Sequence, residues 1–213
     1  MQNHKLRNEL RKSYDRHAQE RESRTMQEWK IAERSGFLLA LQKENKGKLL
    51  EIGAGTGRDG KYFQDQGFDV VCIDLSPAMI ELCRQKGLTA YVMDMGNLDF
   101  PENSFDAVYS MNSLLHLTKK EFSQILHRIN AVIKAGGMVY IGVYGGYDHE
   151  GIWDNDSYIP KRFFSFFSDE NLEAEVSKVF DILIFNRVSL GEDDPIHFQS
   201  LILKKRLSQE DAG

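Results

Sequence analysis

Apolar side chains in the first 44 residues recur at helical spacing within dense charge. Leu6, Leu10 and Tyr14 form one stripe, Met26 and Trp29 a second, and a run from Phe37 to Leu41 a third. Steps of three and four put such residues on one face, so residues 3–44 are expected to form two or three amphipathic helices packed on a larger body. From residue 48 the pattern changes to short aliphatic or β-branched runs. Residues 48–52, 69–73, 89–93, 105–110 and 138–143 predict strands. Helical spacing separates them over 58–66, 76–86 and 118–134. Ser76-Pro77 and Thr118 serve as starts, and Gly67, Gly87 and Gly136-Gly137 as stops.

Repeated strand–helix–strand units with short glycine turns imply an α/β fold, a doubly wound, Rossmann-like and mostly parallel sheet covered on both faces. The rhythm breaks at 144–167, a long aromatic-rich connection with no visible period, of the kind that serves as a lid or binding loop. Ser168 then opens a helix to about residue 178. Runs 180–188 and 197–205 follow in direct succession and predict an antiparallel pair. With no internal repeat and no second core, one domain is expected over 1–213: helices at 1–44, a core at 48–143, the long connection, and the final helix and strand pair at 168–205.

Composition narrows the class. Hydrophobic residues at 41%, charged at 28% and only 4 prolines exclude a disordered or low-complexity chain. The 27 Lys and Arg against 32 Asp and Glu leave a net charge of −5, which argues against a polyanionic partner, so nucleic acid is not expected. Cys72 and Cys83 form no CxxC pair and read as reduced and structural. The polar N-terminus has no apolar core of a signal peptide, and no stretch is long enough to span a bilayer. A soluble, cytoplasmic protein is expected, with its oligomeric state open.

The candidate chemistry lies between the first strand and its helix, in Glu51-Ile52-Gly53-Ala54-Gly55-Thr56-Gly57. Alternating glycines let the backbone approach a ligand, and the following helix offers unpaired N–H groups. A dinucleotide-type GxGxxG can be read at 55–60, but the first glycine after the strand is Gly53, and counting from there puts Arg58 at the sixth position. That register argues against a nicotinamide enzyme. Asp74 ends the second strand about twenty residues on, where an acid accepts from a ribose diol. Asp94 ends the third. In a doubly wound sheet these carboxyl ends lie side by side, so Glu51, the loop, Asp74 and Asp94 converge on one crevice. Singly, each acid has the alternative reading of a cap or turn residue.

With LLEIGAGTG (49–57), VCIDLSPAMI (71–80), MDMGNLDFPENSFDAVYSMNSLLHL (93–117) and KAGGMVYIGVY (134–144), the chain from about Tyr14 onward resembles the class I S-adenosylmethionine-dependent methyltransferases. The resemblance implies a seven-stranded sheet with an antiparallel C-terminal strand. It also implies S-adenosylmethionine as cofactor and S-adenosylhomocysteine as product. Glu51, Gly53, Ala54, Gly55, Thr56 and Gly57 would then wrap the methionine part, Asp74 the ribose hydroxyls and Asp94 the adenine amino group. Leu75, Met79 and Met95 would flank the adenine.

The segment 110–117, with Ser110, Asn112 and His116, and the segment Ser23-Arg24-Thr25 are similar to parts of the glycine N-methyltransferases. On that resemblance Arg24 pairs with the cofactor carboxylate, Ser110 and Asn112 touch the cofactor, and His116 is a cofactor contact or an acceptor-side base. The alternatives are a solvated arginine and a packing histidine.

Tyr14-Asp15 resembles the pair near the start of many small-molecule methyltransferases, while Tyr14 also extends its apolar stripe. Tyr14, Asn112, His116, Tyr144, Tyr147 and Trp153 are the candidate acceptor contacts, with His149 and Tyr158 nearby, and the 163–167 cluster reads as cover for a sheet edge. Asp148-His149-Glu150 with Asp154 and Asp156 reads as a solvated loop, and no metal is expected. The function expected is methyl transfer to a nitrogen or oxygen of a small molecule by in-line displacement. The alternatives are a non-catalytic cofactor-binding protein and a macromolecular acceptor, tRNA or protein, the latter weighed on Lys204-Lys205-Arg206.

Overall fold

The described part of the computed structural model, residues 2–191 and 195–207, opens with three helices: α1 (Gln2–Arg16), α2 (Ala18–Ser23) and α3 (Glu28–Lys43). An alternating core follows: β1 (Lys48–Ile52), α4 (Arg58–Asp65), β2 (Asp69–Asp74), α5 (Pro77–Gln85), β3 (Thr89–Val92), β4 (Phe105–Met111), α6 (Lys119–Val132) and β5 (Ile133–Gly145). The remainder is β6 (His149–Ile152), β7 (Phe163–Phe166), α7 (Asp169–Ser177), β8 (Phe180–Ser189) and β9 (His197–Lys205).

Seven strands form one sheet in the order β3-β2-β1-β4-β5-β9-β8. β1 to β5 are mutually parallel, and β9 inserts antiparallel between β5 and β8. The order reverses at β1, so the crevice beyond the carboxyl ends of β1, β2 and β4 is the topological switch point where such sheets take ligands.

Alternation along the strands divides the core. Leu49 and Tyr109 pack with Phe37, Leu41, Phe63 and Ile80 of α3, α4 and α5 on one face. Leu50, Val108 and Val139 pack with Phe122, Ile125, Leu172 and Val176 of α6 and α7 on the other. Each such fully buried side chain contributes about 1.5–3 kcal/mol relative to exposure. The helix starts read from sequence are real caps: Ser76 Oγ accepts from the Met79 N–H at 3.2 Å, and Thr118 and Glu121 form a capping box.

Two expectations are corrected. The helix over 118–134 ends at Val132, and Gly136-Gly137 do not stop it but lie within β5. Between the pairs Phe105–Ile133 and Ala107–Met138 the register with β4 shifts. Gly136 has φ +65°, and a Cβ on Gly137 would lie 2.5 Å from Ile133 Cγ1. The glycines therefore serve an irregular start of the strand. Likewise the connection 144–167 is not structureless, because β6 and β7 pair antiparallel within it as a second, two-stranded sheet.

The basic run Lys204-Lys205-Arg206 is tied into the fold. Lys205 donates to the carbonyls of Asn130 and Ile133 (2.7 Å each), Arg206 to those of Ser177 (2.7 Å) and Phe180 (3.1 Å), and Lys204 pairs with Glu44 (3.0 Å). Among the described residues no helix is long and apolar enough to cross a membrane.

Candidate functional site

The loop after β1 is held in a conformation that needs its glycines. The Ile73 carbonyl at the end of β2 accepts from the N–H groups of Gly53 (2.9 Å) and Ala54 (3.0 Å). Gly53 has φ +71°, and a Cβ there would lie 2.2 Å from Ser113 Cβ. Ser113 Oγ donates to the Ile52 carbonyl (2.9 Å) and sits 2.6 Å from Ser110 Oγ. Ser110 thus belongs to a buried pin between the ends of β1 and β4. Gly57, with φ +77°, caps α4 and faces Cys83 and Leu88 of the core.

Asp74 closes the loop from the β2 side. Its carboxylate accepts from the N–H groups of Gly55 (2.9 Å) and Ser76 (2.8 Å). Burial pushes the Asp74 pKa up, against the pull of those two donors. Glu51 is buried on the face carrying α4, where Cys72 Sγ donates to it at 3.2 Å. Burial first, then the charge of nearby Asp59, raises the Glu51 carboxyl well above its ordinary range. Gly60 leaves the room for this, since a Cβ would lie 2.5 Å from Glu51 Oε2. Asp59 in turn pairs with Arg34 at 2.9 Å.

Across the crevice, four polar side chains from distant segments form a chain. Asp156 binds Arg162 in bidentate fashion, Nη2 to Oδ1 at 2.7 Å and Nε to Oδ2 at 2.9 Å. Burial opposes charge on Asp156, but these contacts hold its carboxyl below the usual range. Arg162 Nη1 donates to the Tyr14 hydroxyl at 3.2 Å, and that oxygen lies 2.6 Å from His116 Nε2. His116 Nδ1 lies 2.8 Å from the Phe163 carbonyl, which only accepts, so Nδ1 carries the proton. Nε2 is then the acceptor and Tyr14 its donor. Burial drives the His116 pKa down to about 3, and the neighbouring guanidinium of Arg162 pushes the same way.

These groups border a cavity of about 770 Å³ and a smaller adjoining one of about 50 Å³. Of the residues expected from sequence, Tyr14, Arg24, Glu51, Gly53, Ala54, Gly55, Thr56, Asn112, His116, Tyr144 and Trp153 line the larger. Asp74, Leu75 and Met95 line the smaller, with Tyr14, Gly53, Gly55, Asn112 and His116 common to both. Gly57, Met79, Asp94, Ser110 and Tyr147 line neither. Met79 is fully buried against Ala18 and Leu82. Asp94 is bound by Arg7 of α1 (2.5 Å) and by the Gly96 N–H (2.8 Å). Tyr147 packs edge-on against Phe166.

Arg24 is half exposed and pairs with Glu20. Asn112 adopts φ +57°, and its Oδ1 is buried without a hydrogen-bond partner. An unpaired acceptor in a left-handed residue that lines both cavities marks a place where a donor is wanted. Sequence reasoning missed Arg21, Lys30 and Arg162, and it read Asp156 as part of a solvated loop, whereas the Asp156 side chain is buried against Arg162; all four line the larger cavity. The only signal for Arg21 and Lys30 was the charge-rich helical region, and nothing in the 144–167 segment distinguished Arg162 or gave Asp156 a partner.

A seven-stranded sheet with a glycine loop and an acid at its switch point defines a nucleotide-type binding class, and comparison with known proteins narrows it. Residues 49–137 match the family model described as a methyltransferase domain. An uncharacterized methyltransferase of Alkaliphilus oremlandii is 30% identical over 103 residues, 48% of this chain and 48% of that protein. Phosphoethanolamine N-methyltransferase 3 of Arabidopsis thaliana is 32% identical over 123 residues, 54% of this chain and 24% of that protein. The matches thus span about half or less of these relatives.

The 1,6-didemethyltoxoflavin-N1-methyltransferase of Burkholderia thailandensis, solved with 1,6-didemethyltoxoflavin and S-adenosylhomocysteine bound, shares the fold. Its TM-score is 0.74 at 21% identity, over 95% of this chain and 90% of that one. Over residues 49–137, then, the chain is similar to methyltransferase domains, and its fold is that of the solved methyltransferase.

Proposed function

We propose that this chain is an S-adenosylmethionine-dependent methyltransferase acting on a nitrogen or oxygen of a small molecule. The observation that carries the reading is the convergence of the glycine loop, Asp74 and the unpaired Asn112 Oδ1 on one crevice at the switch point. The residues suit the cofactor. The backbone of Gly53 to Thr56 and Glu51 border space for its methionine part, and Arg24 stands at that end. Asp74 offers carboxylate to a ribose, and Leu75 and Met95 offer apolar walls to an adenine. Asp94 serves the adenine side through the loop it holds with Gly96, while Met79, Gly57 and Ser110 support the site from behind.

When bound, the cofactor supplies a methyl group on a positively charged sulfur, open to in-line displacement by a lone pair. The protein's own work is alignment, exclusion of water and proton management. His116 Nε2 is unprotonated at neutral pH and already receives the Tyr14 proton in a hydrogen bond. Where the nucleophile must lose a proton, that proton can pass to the Tyr14 oxygen as Tyr14 passes its own to His116 Nε2. With a pKa of about 3, the ring holds the proton only in transit to solvent. Arg162 holds the Tyr14 oxygen in place throughout. A small-molecule acceptor is supported by the toxoflavin and phosphoethanolamine enzymes among the similar proteins.

Calorimetric titration with S-adenosylmethionine is the test. Saturable binding is expected, weakened about tenfold or more by Asp74→Ala. No heat at millimolar cofactor, or an unaltered affinity in Asp74→Ala, would sink the reading. Incubation with labelled cofactor and fractionated small molecules then identifies what gains the methyl.

A further inference from the structure

The charges facing the large cavity do not balance. Asp156 is neutralised by Arg162 and Asp59 by Arg34, and burial disfavours charge on Glu51, the third acid of the lining. Arg24 pairs with Glu20, and Arg58 is taken up by Glu22 at 3.9 Å and by the main-chain carbonyls of Arg21, Glu22 and Arg24. Arg21 and Lys30 remain.

Arg21 makes one polar contact, to the Tyr158 hydroxyl at 3.3 Å, and otherwise lies over the Tyr14 ring at 5.2 Å. Among the described residues the Lys30 ammonium meets the face of Trp29, 5.1 Å from its Nζ, and no polar side chain. Neither has a carboxylate within ion-pair distance among the described residues. Burial, and then the charge of Arg21, lower the Lys30 pKa, and the more distant charge of Asp59, itself paired with Arg34, offsets them only in part. Partly buried cations in this condition are stabilised by an anion supplied from outside.

Trp29 belongs to a second cleft, about 490 Å³, walled by Trp29, Tyr144, Trp153, Phe164 and Phe166. It opens into the first, because Gln27, Tyr144, Trp153 and Phe164 line both. β7 alternation accounts for two of the walls: Phe164 and Phe166, two residues apart, face the same way. Lys30 therefore sits at the junction of a cationic chamber and an aromatic slot.

We infer that the molecule methylated here is an anion with a flat apolar body, its acid group met by Arg21 and Lys30 and its body laid between the rings of the slot. That the bound anion is methylated rests on the proposed function, whereas the binding preference does not. The other anion that could meet these cations is the cofactor's own carboxylate, and the experiment separates the two.

The chain has two tryptophans, Trp29 and Trp153, and both wall the slot, so intrinsic fluorescence reports on it directly. Matched probes are titrated into the full chain with and without S-adenosylhomocysteine: benzoate against benzamide, phenyl phosphate against phenol, 1-naphthoate against 1-naphthamide. Calorimetry is used where the probe itself fluoresces. At least one anion is expected to bind about tenfold tighter than its neutral partner. Lys30→Met should reduce that preference to about threefold or less, without moving the neutral partner or S-adenosylhomocysteine, while Lys30→Arg retains it.

The inference is overturned if no pair prefers its anion, or if the acid preference survives both Lys30→Met and Arg21→Met. It is equally overturned if Lys30→Met loses S-adenosylhomocysteine in the same proportion as the acid, since the cation then serves the cofactor carboxylate. Wild-type protein that prefers the anions but binds no S-adenosylhomocysteine sinks the methyltransferase reading and leaves the anion slot standing.

Discussion

His116 is a ring held neutral and in one tautomer by its surroundings. One nitrogen is occupied by a carbonyl, the other faces a phenol, and burial keeps the ring neutral. If the Tyr14–His116 pair moves the acceptor's proton, Tyr14→Phe should lower kcat about 10²-fold while S-adenosylhomocysteine affinity stays within about twofold. Equal losses in both would make Tyr14 a packing residue only.

The same ring has a consequence for stability. Its folded pKa, about 3, lies below the ordinary value near 6.5, so between these pH values the unfolded chain binds the extra proton. Stability from this group is complete above about pH 6.5 and falls toward pH 3, by at most ~1.4 kcal/mol per pH unit. Urea midpoints from pH 7.5 down to 4.5 should therefore fall more steeply in the wild type than in His116→Gln, and parallel slopes would remove His116 from the account. At this scale Tyr14, His116 and Asp74 were legible because motifs flank them. Arg162 and Asp156 were not, since their meaning lies in a contact with Tyr14 that no local pattern encodes.

Among the elements, the glycine loop offers a comparison. Gly53 and Gly55 both have positive φ, but a Cβ on Gly53 collides with Ser113 at 2.2 Å, whereas Gly55 has nothing within 4 Å. Gly55→Ala should cost about 1–2 kcal/mol of backbone strain, and Gly53→Ala should add overpacking on top, about 1–3 kcal/mol more. Equal urea midpoints for the two variants would contradict the tight β1–β4 junction. The parallel strands and the capped helices were readable because strands and helices carry their own periods and α5 and α6 their own caps. The β6–β7 pair was hidden: its residues show no strict alternation of apolar and polar positions, and the order comes from pairing and from rings that meet only in the fold. The 163–167 aromatics, expected to cover a sheet edge, in part wall a cleft.

Over the whole molecule, α1 acts as a strap. Arg7 bridges Asp94 and Glu121, Asp15 accepts from Ser76 Oγ at 2.5 Å, Tyr14 meets His116, and Arg16 reaches the Ile159 carbonyl at 3.2 Å. Yet Leu10 and Ser13 are its only buried residues among the described ones, and partly exposed ion pairs contribute about 1 kcal/mol or less each. Such a segment opens more readily than the sheet. Amides of α1 and α2 should exchange with deuterium well before those of β1, β4 and β5, and S-adenosylhomocysteine should slow them selectively. Uniform protection, or protection unmoved by ligand, would contradict this.

The strap also closes over a bond in which only one partner is a side chain: His116 Nδ1–H donates to the Phe163 carbonyl, 47 residues along the chain. Every amino acid brings the same carbonyl, so replacing Phe163 side chain by side chain leaves that determinant of proton position untouched. A single deletion between β6 and β7 would slip the strand by one residue and turn its pleat over. Part of this protein's chemistry is therefore written in chain length, where a substitution scan is blind and an indel scan is not.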